Sequence, residues 1–149
     1  MNHRSAVIGT VTLTIGILLL LFGGLLYVLY RPQTLLLFHV ADQLGLSAVI
    51  GQGRLWASAW QPAAFVIYCL PAGLWAMSYV LIVAGLAEAL QPMARFSAVA
   101  FIPLIGGVSE LMQAVDIIPG TFDWADLLLY LLPLVLYMAY SLNVKHKTQ

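Results

Sequence analysis

Five carboxylate and carboxamide side chains fall between positions 110 and 126 of a largely apolar region: Glu110, Gln113, Asp116, Asp123 and Asp126. They include four of the six acidic residues of the whole chain. Strongly apolar runs flank them on both sides. Carboxylates gathered in such surroundings repel one another unless a shared proton, a bound cation or an arginine balances them. The chemistry open to them is the binding of a polar group or cation. Acid–base work by two carboxylates with separated acidities is the other option.

The cluster divides in two. Thr121-Phe122-Asp123-Trp124-Ala125-Asp126-Leu127 reads as a helix start. Asp123 is placed as the N-cap. Asp126, at the third helical position, completes a box-like cap and favours the positive end of the helix dipole. Phe122 and Leu127 occupy hydrophobic-staple positions, and Pro119-Gly120 is a turn. Capping does not account for Glu110 and Gln113. With Asp116 ending the preceding helix, Glu110 lies about 9 Å inside it, and Gln113 is one turn nearer the end on the same face. An ionisable group at that depth is a functional-site hypothesis by default. A tight hairpin of the two helices brings Glu110, Gln113 and Asp126 to one pocket, with Arg31 or Arg54 available to balance them. Those three are the expected binding residues, and Asp123 is the structural cap.

The elements that must position them belong to a membrane protein. Of 149 residues, 62% are hydrophobic and only 8% charged, against about 25% charged in a soluble domain. The expected fold class is all-α: one integral membrane domain over 1–149, with four transmembrane helices and an amphipathic interfacial helix in the first loop. The net charge of zero gives no case for nucleic acid. Cys69 is the single cysteine, and His3, His39 and His146 have no metal-binding spacing, so no metal is expected. There is no Gly-rich phosphate loop and no Gly-x-Ser-x-Gly, and no cofactor is expected.

The expected spans are 7–30, 71–90, 96–115 and 125–142, each near the roughly 20 residues that cross the hydrocarbon. The first is too long for a signal-peptide core and lacks a cleavage site, so it reads as an uncleaved helix. Its Gly9, Gly16 and Gly23, with Thr12 beside them, form a small-residue stripe for close helix packing; a dimer face is the alternative. Beyond Arg31-Pro32, Leu36, Leu37, Val40 and Leu44 fall on one helical face, with His39, Asp42 and Gln43 near the other. Gly45, Gly51 and Gly53 are expected to break that helix. Trp56, Trp60 and Tyr68 favour the headgroup level. Ala63 to Leu70 begins the next helix or approaches it re-entrantly. Trp75 and Tyr79 read as an interfacial anchor, with a ligand-stacking platform as the alternative. Glu88 and Arg95 are too far apart for a direct ion pair within one helix. Pro103 and Pro133 should kink the last two spans, and Gly106-Gly107 admits a close neighbour.

Basic residues orient the chain. Arg4, Arg95, Lys145 and Lys147 fall on one side, and Arg31 and Arg54 on the other. Both termini are therefore expected in the cytoplasm of a multi-pass plasma-membrane protein. The acidic stretch then faces outward, beside the amphipathic first loop.

Glu110-Leu-Met-Gln113, followed by Gly120-Thr-Phe-Asp-Trp-Ala-Asp126, resembles the closing motif of VanZ-like membrane proteins. In that family a Glu-x-x-Gln ends one helix, a Gly-Arg turn follows, and an Asp opens the last helix with an Asn four residues on. Glu110, Gln113, Gly120 and Asp126 match by position. Thr121, Tyr130 and Pro133 stand where the family commonly has Arg, Asn and Gly, and its earlier Asp-Lys-x-x-His-Phe element has no clear counterpart. The resemblance covers about 20 residues of 149. It implies a small multi-span protein of the bacterial cell envelope, from a family associated with glycopeptide tolerance.

The function expected is non-enzymatic: binding of a headgroup, a cation or an envelope glycan precursor at the outer leaflet. The alternative is an accessory subunit of a larger membrane complex, docking through the Gly9/Gly16/Gly23 stripe. A hydrolase or transferase using Glu110 and Asp126 as acid and base would lack a nucleophile, a metal cluster and a phosphate cradle. A transporter would have only a narrow path through four short helices, with no inverted repeat. The expected partners are the lipid bilayer and either other membrane subunits or a second copy of the chain.

Overall fold

The computed structural model describes the backbone of residues 3–146 and the side chains of 9–143 except Glu88. The side chains of His3, Arg4, Glu88, Lys145, His146 and Lys147, on which parts of the sequence reading rest, lie outside the described residues. Among the described residues every regular element is helical: α1 (His3–Tyr30), α2 (Leu36–Gln43), α3 (Ser47–Ala57), α4 (Ala64–Tyr68), α5 (Leu70–Leu86), α6 (Pro92–Ala114) and α7 (Trp124–His146).

The short helix α5 is central. It packs along α1 on one side and against α6 and α7 on the other, while among the described residues α1 packs on neither α6 nor α7. The glycine stripe of α1 makes the first of these contacts. A side-chain carbon added at Gly16 would fall 2.7 Å from Ile82, and one at Gly23 would fall 2.9 Å from the Trp75 ring. Close packing is therefore what the stripe does. The face proposed for docking a second protein is covered by the chain's own α5. On the far side of α5, Val80, Ala84, Val99, Ala100 and Leu134 form a buried core, and Tyr79 Oη donates to the Ala98 carbonyl at 2.7 Å.

Among the described residues three helices, not four, are long and apolar enough to cross a membrane: Gly9–Tyr30, Pro92–Ala114 and Trp124–Asn143. The span expected over 71–90 stops being α-helical at Leu86. A 3₁₀ turn over Ala87–Ala89 follows. The cause is local. Pro92 holds Gln91 extended (ψ 149°), and Arg95 Nη2 donates to the Ala84 carbonyl at 2.7 Å, satisfying the helix end there. The 17 residues that remain in α5 span about 26 Å.

The first loop holds two helices where one interrupted helix was expected. Gly45, at φ +71°, ends α2, and the Leu46 N–H donates back to the Ala41 carbonyl at 2.9 Å. Gly51 and Gly53 do not break the chain; both lie inside α3. In α2, Phe38 and Ala41 are buried against the protein, whereas Leu36, Leu37, Val40 and Leu44 are exposed. The apolar face drawn from the sequence is the outward one.

Helix α6 ends at Ala114, two residues earlier than expected. Asp116 adopts a left-handed conformation (φ 56°), and the Ile117 N–H donates to the Met112 carbonyl at 2.9 Å. An aspartate is one of the few residues other than glycine that tolerates this position. Asp116 is thus a helix terminator, and Glu110 lies about 6 Å inside the helix end rather than about 9 Å.

Candidate functional site: a polar pocket where four helix ends meet

The carboxyl-terminal ends of α1 and α6 meet the amino-terminal ends of α5 and α7 at one end of the bundle, with α4 alongside. A pocket of about 730 Å³ opens between them. Glu110, Gln113 and Asp126 all line it, as the sequence led us to expect, together with Asp123 and Arg31. The tight α6–α7 hairpin that unites them depends on Gly106, against which the ring of Tyr130 lies so closely that no side chain would fit between.

The roles within the cluster are distributed differently from the sequence reading. Asp123 is the N-cap of α7: its Oδ1 accepts from the Ala125 N–H at 2.7 Å. The return half of the cap is not made by Asp126. The Asp123 N–H instead donates to Glu110 Oε2 at 3.4 Å, so the buried Glu110, only 6% exposed, ties α6 to the start of α7. Asp126 is thereby freed from capping. Its Oδ1 is buried without a hydrogen-bond partner. Gln113 lies over Gly120, whose φ of +150° and lack of a side chain leave it room.

Arg31 supplies the positive charge. Its guanidinium sits 5.4 Å from the Tyr27 ring centroid and 5.2 Å from that of Tyr68, which fixes it between two aromatic faces. Its Nε is buried and unpartnered. Arg54, the other candidate, is committed elsewhere. Its Nη1 donates to the carbonyls of Val28 (2.8 Å) and Arg31 (2.9 Å), which caps the end of α1. Trp75 lies at this same end of the bundle. It lines the pocket and packs against Tyr27 with ring centroids 5.1 Å apart.

Tyr27, Cys69 and Tyr130 also line the pocket, although their types and spacing do not point there. Cys69 lies just ahead of α5, with Sγ 3.5 Å from Asp123 Oδ2 and Asp126 on its other flank. Burial, then the hydrogen bond and charge of Asp126, then Asp123, push its thiol up to about 12. Nothing in the local sequence signals this, because the break between α4 and α5 brings the thiol there. Since only the thiolate is nucleophilic, Cys69 should react with a maleimide roughly 10³-fold more slowly at pH 8 than an exposed cysteine. The rate should still climb about tenfold per pH unit at pH 10. Stopped-flow labelling in detergent checks both, and a plateau below pH 10 would show a thiol free of the two aspartates.

Among the described residues no group of three or more His, Cys, Asp and Glu side chains is arranged to hold a metal ion. The arrangement suits binding: a cation and an acid, each with a buried polar atom left unpaired, line one aromatic-walled pocket. Compared with protein-family models, curated proteins and solved structures, the chain has no match.

Proposed function

We propose that this chain is a small, VanZ-like integral membrane protein of the bacterial cell envelope. It crosses the plasma membrane four times with both termini in the cytoplasm, and it binds the polar head of an envelope amphiphile in an outward-facing pocket. The observation that carries the binding role is that Arg31 and Asp126 line one pocket, each with a buried polar atom that has no partner. Buried polar atoms are nearly always partnered in a folded protein, so two such side chains of opposite charge around one cavity point to a ligand that answers both charges.

Several features support the four-span reading. Helix α5 runs antiparallel to α1 along most of its length: Gly23 faces Leu74 and Trp75, Gly16 faces Ser78 and Ile82, and Gly9 faces Gly85. With the 3₁₀ turn after it, α5 links the pocket end of α1 to the far end of α6. Outward apolar residues such as Leu18 and Leu21, 59% and 63% exposed, suit a lipid environment. The exposed leucine face of α2 and the exposed Trp56 and Trp60 suit the membrane interface beside the pocket. The raised pKa of Cys69, the thiol beside the acids, argues against a thiolate nucleophile in the pocket.

Complementation under envelope stress tests the reading. In a strain lacking the protein, Asp126→Asn and Arg31→Gln should each accumulate in the membrane at the wild-type level and each lose protection. Full protection by both variants would overturn the proposed site.

A further inference from the structure

We infer that the head bound in this pocket is an aminophosphate zwitterion of the phosphoethanolamine kind, its ammonium group on Asp126 and its phosphate on Arg31. The inference rests on the binding role proposed above and narrows its ligand.

The charges of the pocket set the class. Three carboxylates, Glu110, Asp123 and Asp126, face one guanidinium, Arg31. A simple anion would meet more like charge than opposite charge. A simple cation would leave the Arg31 guanidinium unmatched. A ligand with one charge of each sign answers both.

Hydrogen bonding then assigns the seats. Asp123 is spent: Oδ1 on the Ala125 N–H and Oδ2 on the Cys69 thiol. Glu110 Oε2 holds the Asp123 N–H. Asp126 takes no part in the cap of α7 and lines the pocket, so an ammonium group, which is donor only, belongs at its carboxylate. Trp75 and Tyr130 also line the pocket, and aromatic walls suit an organic cation. Arg31 presents donors only and is held rigidly between Tyr27 and Tyr68, which suits the oxygens of a phosphate. The pocket, at about 730 Å³, leaves space beyond the head for a glycerol backbone or a sugar.

Native mass spectrometry of the full chain in mild detergent tests this. The probes are short-chain phosphatidylethanolamine, phosphatidylglycerol of matched chains, and free phosphoethanolamine. Phosphatidylethanolamine should bind at least tenfold more tightly than phosphatidylglycerol. Asp126→Asn should erase that preference and Asp126→Glu should keep it. Arg31→Gln should weaken both lipids tenfold or more. Free phosphoethanolamine competing at the affinity of the lipid would support the zwitterion and make its source a soluble head group; failure to compete would support the lipid. Equal binding of the two lipids, lost in both Asp126→Asn and Arg31→Gln, would overturn the ammonium assignment and leave the binding pocket standing. Binding that neither variant changes would overturn both. Circular dichroism of each variant separates lost binding from lost fold, and Asp126→Glu carries the test if Asp126→Asn does not fold.

Discussion

Gly106→Val should destabilise the protein by about 3 kcal/mol, the upper part of the range for overpacked interiors. A β-carbon at position 106 has no free volume to enter, because the Tyr130 ring occupies it. Neither partner can step aside easily. Gly106 is part of the α6 backbone, and the next residue, Gly107, faces Leu131 with only 3.2 Å to spare for an added carbon. Tyr130 is anchored on α7 one turn beyond Asp126. The substitution must therefore push α6 from α7 and open the pocket that both helices wall. Gly106→Ala should show the same effect at about half the size. Tyr130→Ala should restore a good part of the loss in the Gly106→Val background, as expected of two residues in direct contact. Thermal unfolding in mild detergent measures all three, and an unchanged midpoint in Gly106→Val would refute the tight hairpin.

Glu110 should behave as a structural residue and Asp126 as a functional one. Glu110→Ala removes the acceptor for the Asp123 N–H and vacates a buried position, and should cost about 2 kcal/mol with a visible fall in membrane abundance. Glu110→Gln keeps an oxygen acceptor and the volume, and should recover most of that loss. Asp126→Asn takes nothing from the α7 cap and keeps an oxygen that can accept from the Cys69 thiol, and should leave stability within about 0.5 kcal/mol. The contrast runs against intuition from the sequence, where Asp126 fits the cap and Glu110 does not. Equal losses for Glu110→Ala and Asp126→Asn would mean that both acids serve the hairpin alone.

This exchange of roles shows what could be read in advance. The convergence of Glu110, Gln113 and Asp126 was legible because a Pro-Gly turn between two apolar runs leaves little choice but a hairpin. The Asp123 cap was legible because its geometry is local. The partner of the Asp123 N–H was not, because Glu110 reaches it from another helix, and helical spacing within α7 favoured Asp126. Arg31 and Arg54 were both fair candidates from composition. The choice fell to Arg31 because Arg54 turns back to cap α1. The ring chemistry of Trp75 points to the headgroup level but not to the pocket, because the contact that seats the ring there is with Gly23 on another helix. The length of α5 escaped notice for a similar reason. Hydropathy continues through Leu90, but the backbone is already turning at Ala87 to meet Pro92.

The most direct measurement is of what the pocket holds when the protein leaves its own membrane. The full chain and its Asp126→Asn variant are purified in parallel in mild detergent and weighed intact by native mass spectrometry. The wild type should carry a non-covalent adduct of lipid or precursor mass, at near-stoichiometric occupancy, and the variant should have lost most of it. Identical adduct patterns in the two proteins would contradict a binding role for the pocket.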